Sequence, residues 1–172
     1  ALTVCEDLWD DDKDNSYVGD LMAELAAENP DIIINIAASP FSYIQHEERI
    51  QVLKNNIKKA NAPLIYVNQI GAHTDIIFDG RSLVLNKNGD IVKELAKFAE
   101  DFQYVDFENS DFAGKGSTTN DTEIALIHQA LILGLRDYFS KSGFKKAVLG
   151  LSGGIDSAIV AALAIEALGA KN

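Results

Sequence analysis

An α/β layered fold is the architecture this sequence predicts, and three observations predict it. Two largely apolar runs, Asp31–Ala38 (DIIINIAA) and Leu64–Asn68 (LIYVN), have the composition of strands buried on both faces. Segments with apolar residues at helical spacing precede and separate those runs. Near the end of the chain a third apolar stretch, Lys146–Leu151 (KAVLGL), runs into a glycine-rich loop and then an Ala-rich segment, which reads as strand, loop and helix.

Each element follows in order. Leu2–Cys5 (LTVC) is apolar and β-branched, the end of a strand, and DLWDDDKDN is a loop. Ser16 is placed to cap a helix reaching Ala27, with Val18, Leu21, Met22, Leu25 and Ala26 inward. Asn29–Pro30 stops that helix, and Ser39–Pro40 breaks the strand that comes next. A second helix spans about Tyr43 to Asn61, with Ile44, Ile50, Leu53 and Ile57 inward. After Leu64–Asn68 the rhythm changes to the short strands Asp75–Phe78, Ser82–Leu85, Ile91–Leu95 and Phe102–Phe107. Asp79–Gly80 and the hairpin turn Lys87–Asp90 punctuate them. Residues 109–121 (NSDFAGKGSTTND) are polar and turn-like and read as a linker. Asn120 with Glu123 forms a capping-box pattern for a helix from Thr122 to Ser140. Ile124, Ile127, Leu131, Leu135 and Tyr138 mark its face, and Gly143 ends it. The last helix, Ala158–Leu168, closes at Gly169.

Composition narrows the function classes. The 172 residues are 47% hydrophobic and 24% charged, within the globular range. The net charge is −11, and it is uneven: residues 1–115 hold 10 Lys+Arg against 21 Asp+Glu, residues 116–172 hold 5 against 5. An acidic first part argues against nucleic-acid binding, and the shift supports a boundary near residue 110. No apolar run of about 18 residues or more exists to span a membrane, and no signal-like segment opens the chain. A single cysteine precludes an internal disulfide and suits a reducing cytoplasm.

The strongest motif is Gly150-Leu151-Ser152-Gly153-Gly154-Ile155-Asp156-Ser157. Adjacent glycines let main-chain N–H groups converge on one anion, and the start of a helix adds unpaired amides and a positive dipole end. Ser152 and Ser157 add hydroxyl donors. Asp156 would repel phosphate unless a divalent cation lay between them. The loop matches neither a Walker A motif nor GxGxxG. The alternative is a tight strand–helix turn with serine capping. On these residues the segment resembles the pyrophosphate loop of ATP pyrophosphatases, and GFKKAVLGLSGGIDSAIVAALAIEALGA is similar to NAD synthetases. The resemblance implies an ATP site made by Gly150, Leu151, Ser152, Gly153, Gly154, Ile155 and Ser157, with Asp156 holding Mg²⁺.

Cys5 is either a buried small hydrophobe or a nucleophile. It sits where an apolar strand meets a polar loop, a common place for nucleophiles in α/β proteins. Its acidic neighbours supply no positive charge to support a thiolate, so activation would need a cation from elsewhere. VCEDLW resembles the nucleophile segment of the nitrilase (carbon-nitrogen hydrolase) superfamily. NIAASPF (Asn35–Phe41), YVNQIG (Tyr66–Gly71) and Phe78-Asp79-Gly80 resemble the glutaminase domain of glutamine-dependent NAD synthetases. The resemblance implies a Glu-Lys-Cys triad with Cys5 as nucleophile, Ser39 touching glutamine and Glu6 meeting its α-amino group. The Glu and Lys precede the Cys by tens of residues in that family, so Lys13, Glu24 and Glu28 do not match them. Gln45 stands where the family carries a cation for the glutamine carboxylate.

The resemblance places the chain in the middle of a longer two-domain enzyme. Residues 1–108 would be the C-terminal part of a nitrilase-like α-β-β-α sandwich and 109–121 the linker. Residues 122–172 would be the first α-β-α elements of an adenine-nucleotide alpha hydrolase-like, Rossmann-like parallel-sheet domain. It implies ATP-dependent amidation of nicotinic acid adenine dinucleotide (deamido-NAD⁺) by glutamine-derived ammonia, in a cytoplasmic homo-oligomer, with the isolated stretch inactive. Two other readings stay open: an amidase joined to a different pyrophosphate-loop ligase, and a non-catalytic binding or assembly module. His46, His73 and His128 lack metal-ligand spacing. Asp7, Asp10, Asp11, Asp12 and Asp14 read as a solvated loop.

Overall fold

The computed structural model describes residues 1–9, 20–116 and 121–172. Strand β1 (Leu2–Val4) runs into a 3₁₀ turn at Cys5–Leu8, and helix α1 covers Leu21–Ala27. Ser16, Val18, Lys13 and Asp10–Asp14 of the expectations lie outside the described residues. The observed cap of α1 is Asp20, whose carboxylate accepts the Ala23 amide at 2.8 Å. Strand β2 (Ile33–Ala37), helix α2 (Gln45–Ala60) and strand β3 (Leu64–Asn68) complete a parallel β1-β2-β3 ladder with two helices. Strands β4 (Ile70–His73) and β5 (Ile76–Asp79) form a separate hairpin. Strands β6 (Leu83–Leu85) and β7 (Ile91–Glu94) return antiparallel beside β3, giving the order β1-β2-β3-β6-β7.

The core lies on one face of this sheet. Ile33, Leu64, Tyr66, Leu83 and Leu85 meet Met22 from α1 and Leu53, Ile57 and Ala60 from α2. The expectation of strands buried on both faces is corrected: Leu2, Val4, Ile36 and Val67 on the opposite face are exposed, Ile36 by 51%. An apolar run supplies two faces suited to burial, and the helices described here cover only one. The Ile44 expectation is also corrected. Ile44 precedes α2 and is 64% exposed, while Arg49 and Asn56 are buried on the inward side with Leu53 and Ile57.

Phe102–Phe107 is not a strand. Only Phe107–Glu108 (β8) pairs, with Asp111–Phe112 (β9), and Tyr104 upstream is 85% exposed. The β8–β9 hairpin thus falls across the start of the expected linker, and Gly116 lies so close to Val92 that a Cβ would sit 2.6 Å from its carbonyl oxygen. Helix α3 (Glu123–Ser142) is capped by Thr122, whose hydroxyl accepts the Ala125 amide at 3.3 Å. Asn120 lies outside the described residues. The buried face of α3 is Leu126, Ala130, Ile132 and Leu133, rotated from the expected one, and Ile124, Leu131 and Tyr138 are exposed. The helix docks on the β4–β5 hairpin, which the sequence reading missed in its β4 half.

Lys146–Leu151 forms no strand, and Val148 is fully exposed. A strand needs a neighbour for its main-chain groups, and Ala147 instead donates to the Asn172 carbonyl at 2.8 Å. Helix α4 (Ile155–Leu168) begins three residues earlier than expected and packs on α3. No described helix is long and apolar enough to cross a membrane.

Candidate functional sites

The first group of predicted residues gathers at the carboxyl ends of the parallel strands. Cys5 directly follows β1, Ser39 follows β2, and Asn68 ends β3. This edge is where open α/β sheets place their chemistry, because the chain must turn there and its loops are free to vary. Cys5 has φ 51°, in the left-handed region that a side chain enters at a cost of about 1–2 kcal/mol. The turn thereby ends β1 abruptly and leaves Cys5 half-buried at the end of the strand. Asn35 ties β2 to this turn by donating to Thr3 Oγ1 at 2.9 Å and towards the Cys5 carbonyl at 3.4 Å. Glu6 follows Cys5 as an exposed residue. Gln45 opens α2, half-buried, with its amide on the Ser42 carbonyl at 3.2 Å.

Ser39 is buried in a polar cluster that sequence reasoning missed. The Ser39 amide donates to Asn68 Oδ1 at 2.9 Å, and Asn68 Nδ2 donates to Asp79 Oδ1 at 3.1 Å. Arg49 faces the Asp79 carboxylate at 3.3–3.4 Å and donates to Ser39 Oγ at 3.2 Å. The Arg49–Asp79 side chains are 2% and 6% exposed, so this is a buried ion pair. The Arg49 guanidinium also stands over the Tyr66 ring, 5.5 Å from its centre. Burial raises the Tyr66 phenol above its ordinary pKa, with the Arg49 charge opposing. One signal could have exposed Arg49: it falls on the stripe 49, 53, 56, 57, 60 that α2 turns inward, and a charge on such a stripe demands a partner.

His46, one turn before Arg49, is held neutral. Burial and the charges of Arg81, Arg49 and Lys97 lower its pKa from 6.5 to about 3. Glu94 lies 3.7 Å from its Nε2, too far for a hydrogen bond, and is already joined to Arg81.

The second group is the 150–157 loop. Gly150 to Asp156 are exposed and Ser157 is partly buried. Gly153 has φ +88°, a conformation that only glycine takes without strain. Ser152 Oγ lies 3.2 Å from Ser157 Oγ and accepts the Gly154 amide at 3.4 Å, while Ser157 Oγ donates to the Gly154 carbonyl at 3.0 Å. The amides of Ile155, Asp156 and Ser157 open α4, where a helix has no carbonyls of its own for them. Such a surface fits an anion. Asp156 lies in the first turn, where its charge also favours the helix dipole. Among the described residues no three His, Cys, Asp or Glu side chains converge as a metal site. A cation at Asp156 would therefore take its remaining ligands from phosphate and water, as Mg²⁺ does.

Comparison with known proteins connects both groups. Residues 127–172 match the NAD synthase family model. The whole chain is 40% identical to the glutamine-dependent NAD(+) synthetase of Synechocystis sp., covering 32% of that protein.

Over its whole length this chain is similar to part of the glutamine-dependent NAD(+) synthetases.

It spans about a third of the length of the curated synthetases it matches. The glutamine-dependent NAD+ synthetase of Acinetobacter baumannii, solved with ADP, superposes on 99% of the chain with a TM-score of 0.87 and 35% identity. That alignment takes in 31% of the bacterial enzyme. The Cytophaga hutchinsonii synthetase superposes with a TM-score of 0.70 at 22% identity over 97% of the chain and 24% of its own length, which supports the fold. The stretch similar to these proteins thus carries the cysteine edge and the glycine-rich loop within one α/β chain.

Proposed function

We propose that this chain joins the glutaminase and ATP-binding halves of an enzyme that makes NAD⁺ from glutamine, ATP and deamido-NAD⁺. In this reading residues 1–108 belong to a nitrilase-like glutaminase sandwich, 109–121 link, and 122–172 open a Rossmann-like synthetase domain. The observation that carries the reading is the similarity of the whole chain to about a third of the Synechocystis synthetase, supported by the placement of Cys5 and Ser39 on one sheet edge.

Cys5 Sγ would attack the carboxamide carbon of glutamine. The C–N bond breaks, ammonia leaves, and a thioester forms that water hydrolyses to glutamate. Ser39, Glu6 and Gln45 would contact the amino acid around that carbon. The resemblance assigns the general base and the oxyanion-supporting Lys to residues other than these 172.

ATP, when bound, supplies the adenylyl group that activates the acid. The Ser152–Ser157 loop would hold its phosphates with main-chain amides and two hydroxyls, alongside Gly150 and Leu151, and Asp156 would hold Mg²⁺. The Acinetobacter baumannii relative was solved in complex with ADP, which supports nucleotide binding in this reading.

The test uses the intact protein that carries this chain. Cys5→Ala should abolish glutamine-supported NAD⁺ formation while free ammonia still supports it. Persistent glutamine-supported turnover in that variant would refute the reading.

A further inference from the structure

We propose that Arg49 and Asp79 are positioning residues for glutamine recognition, acting through Ser39 and Asn68; this rests on the glutaminase reading of the same site. The four side chains come from four places: the loop after β2, the end of β3, the end of β5 and the second turn of α2. Their bonds close a ring. Ser39 N–H reaches Asn68, Asn68 reaches Asp79, Asp79 meets Arg49, and Arg49 returns to the Ser39 hydroxyl. All four residues are buried.

Ser39 is therefore gripped at its main chain and at its side chain together. A hydroxyl that accepts from a guanidinium has one lone pair committed, and the bond polarises its own hydrogen into a better donor. That suits recognition of an oxygen acceptor, the carboxylate or carboxamide oxygen of an amino-acid amide. Because Asp79 balances Arg49, the pair sets direction rather than net attraction. A lysine at position 49 could meet Asp79 but could not span Asp79 and Ser39 with one planar fork.

The experiment uses the intact protein with Arg49→Lys, Ser39→Ala and the double variant. Arg49→Lys should raise the glutamine KM about tenfold, with kcat falling less, and should lower the ratio of glutamine- to ammonia-supported turnover in step. Alkylation of Cys5 by a glutamine-like chloroketone should slow about tenfold, whereas alkylation by iodoacetamide, which makes no use of Ser39, should keep its rate. Adding Ser39→Ala to Arg49→Lys should cost nothing further, because both act on one contact.

Equal slowing of both reagents, an additive double variant, or an unchanged glutamine KM would each overturn the proposal. If Arg49→Lys does not fold, Asp79→Glu, which keeps the charge that balances Arg49 but displaces it, carries the same measurements. An unchanged KM alongside Cys5-dependent turnover sinks only the positioning role. Turnover that survives Cys5→Ala sinks the glutaminase reading as well.

Discussion

His46 shows how a single residue converts burial into pH dependence. Its pKa is about 3 in the folded protein against 6.5 as a free side chain. Between those values the unfolded chain binds a proton that the folded chain refuses, so stability rises with pH through that window. The contribution is complete above about pH 6.5 and is lost as the pH falls towards 3. Replacing His46 with Asn should flatten this limb, so that urea midpoints at pH 7 and pH 4.5 lie closer together than in the parent. Equal midpoint shifts in both proteins would contradict it. Asp20 acts at the same scale through geometry: Asp20→Ala removes the cap of α1 and should cost about 1 kcal/mol in denaturant unfolding.

At the scale of elements, the sheet presents two unlike faces. Ile33 points into the helices and is fully buried, while Ile36 points away and is half exposed. Ile33→Ala should cost about 2–4 kcal/mol and Ile36→Ala about 1 kcal/mol or less, measured by chemical denaturation. The docking of α3 is equally specific. Asp137 accepts the Ala72 amide at 2.7 Å, and Lys141 donates to the Ala72 carbonyl. Gly71 and Gly134 keep the two elements close, since a Cβ on them would stand 3.0 Å from Asp137 and 3.1 Å from Ile77. Asp137→Ala should loosen this seam by about 1–3 kcal/mol, because the Ala72 amide is left unpaired. The readout is faster hydrogen exchange at Ala72 with that of β2 and β3 unaltered. In the loop, Gly153→Val forces a branched side chain into φ +88° and should weaken ATP binding by the intact protein about tenfold or more.

For the molecule as a whole, the exposed face of Leu2, Val4, Ile36 and Val67 and the exposed apolar residues of α4 leave much apolar surface uncovered in the 172-residue chain. That chain should bind an environment-sensitive apolar dye strongly and release no ammonia from glutamine. The same surface explains what the sequence could and could not reveal. The alternation of strands and helices up to Asn68 was legible, because apolar period and Pro or Asn stops are local properties. Whether a strand is covered on one face or two, or pairs at all, depends on neighbours, and so Ile36 and Lys146–Leu151 were misread. The buried face of α3 was misjudged because that helix is apolar on several sides and its partner, the β4 strand, had gone unseen. At the candidate sites, Cys5, Ser39 and the 152–157 loop stood out in the sequence as motifs. The ring behind Ser39 was not, because its members lie up to 40 positions apart and only folding unites Ser39 with Asp79.

The Arg49–Asp79 pair also constrains how this sequence can drift. Loss of either partner alone leaves a stranded charge in the interior at about 3–5 kcal/mol, a large share of what a domain has to spare. Exchange of both for apolar side chains of matching volume can be neutral for folding. A lineage that left this arrangement would have to cross a viability gap one codon at a time, with no safe intermediate, and so the two positions are bound to a shared history even though they lie 30 residues apart in the chain.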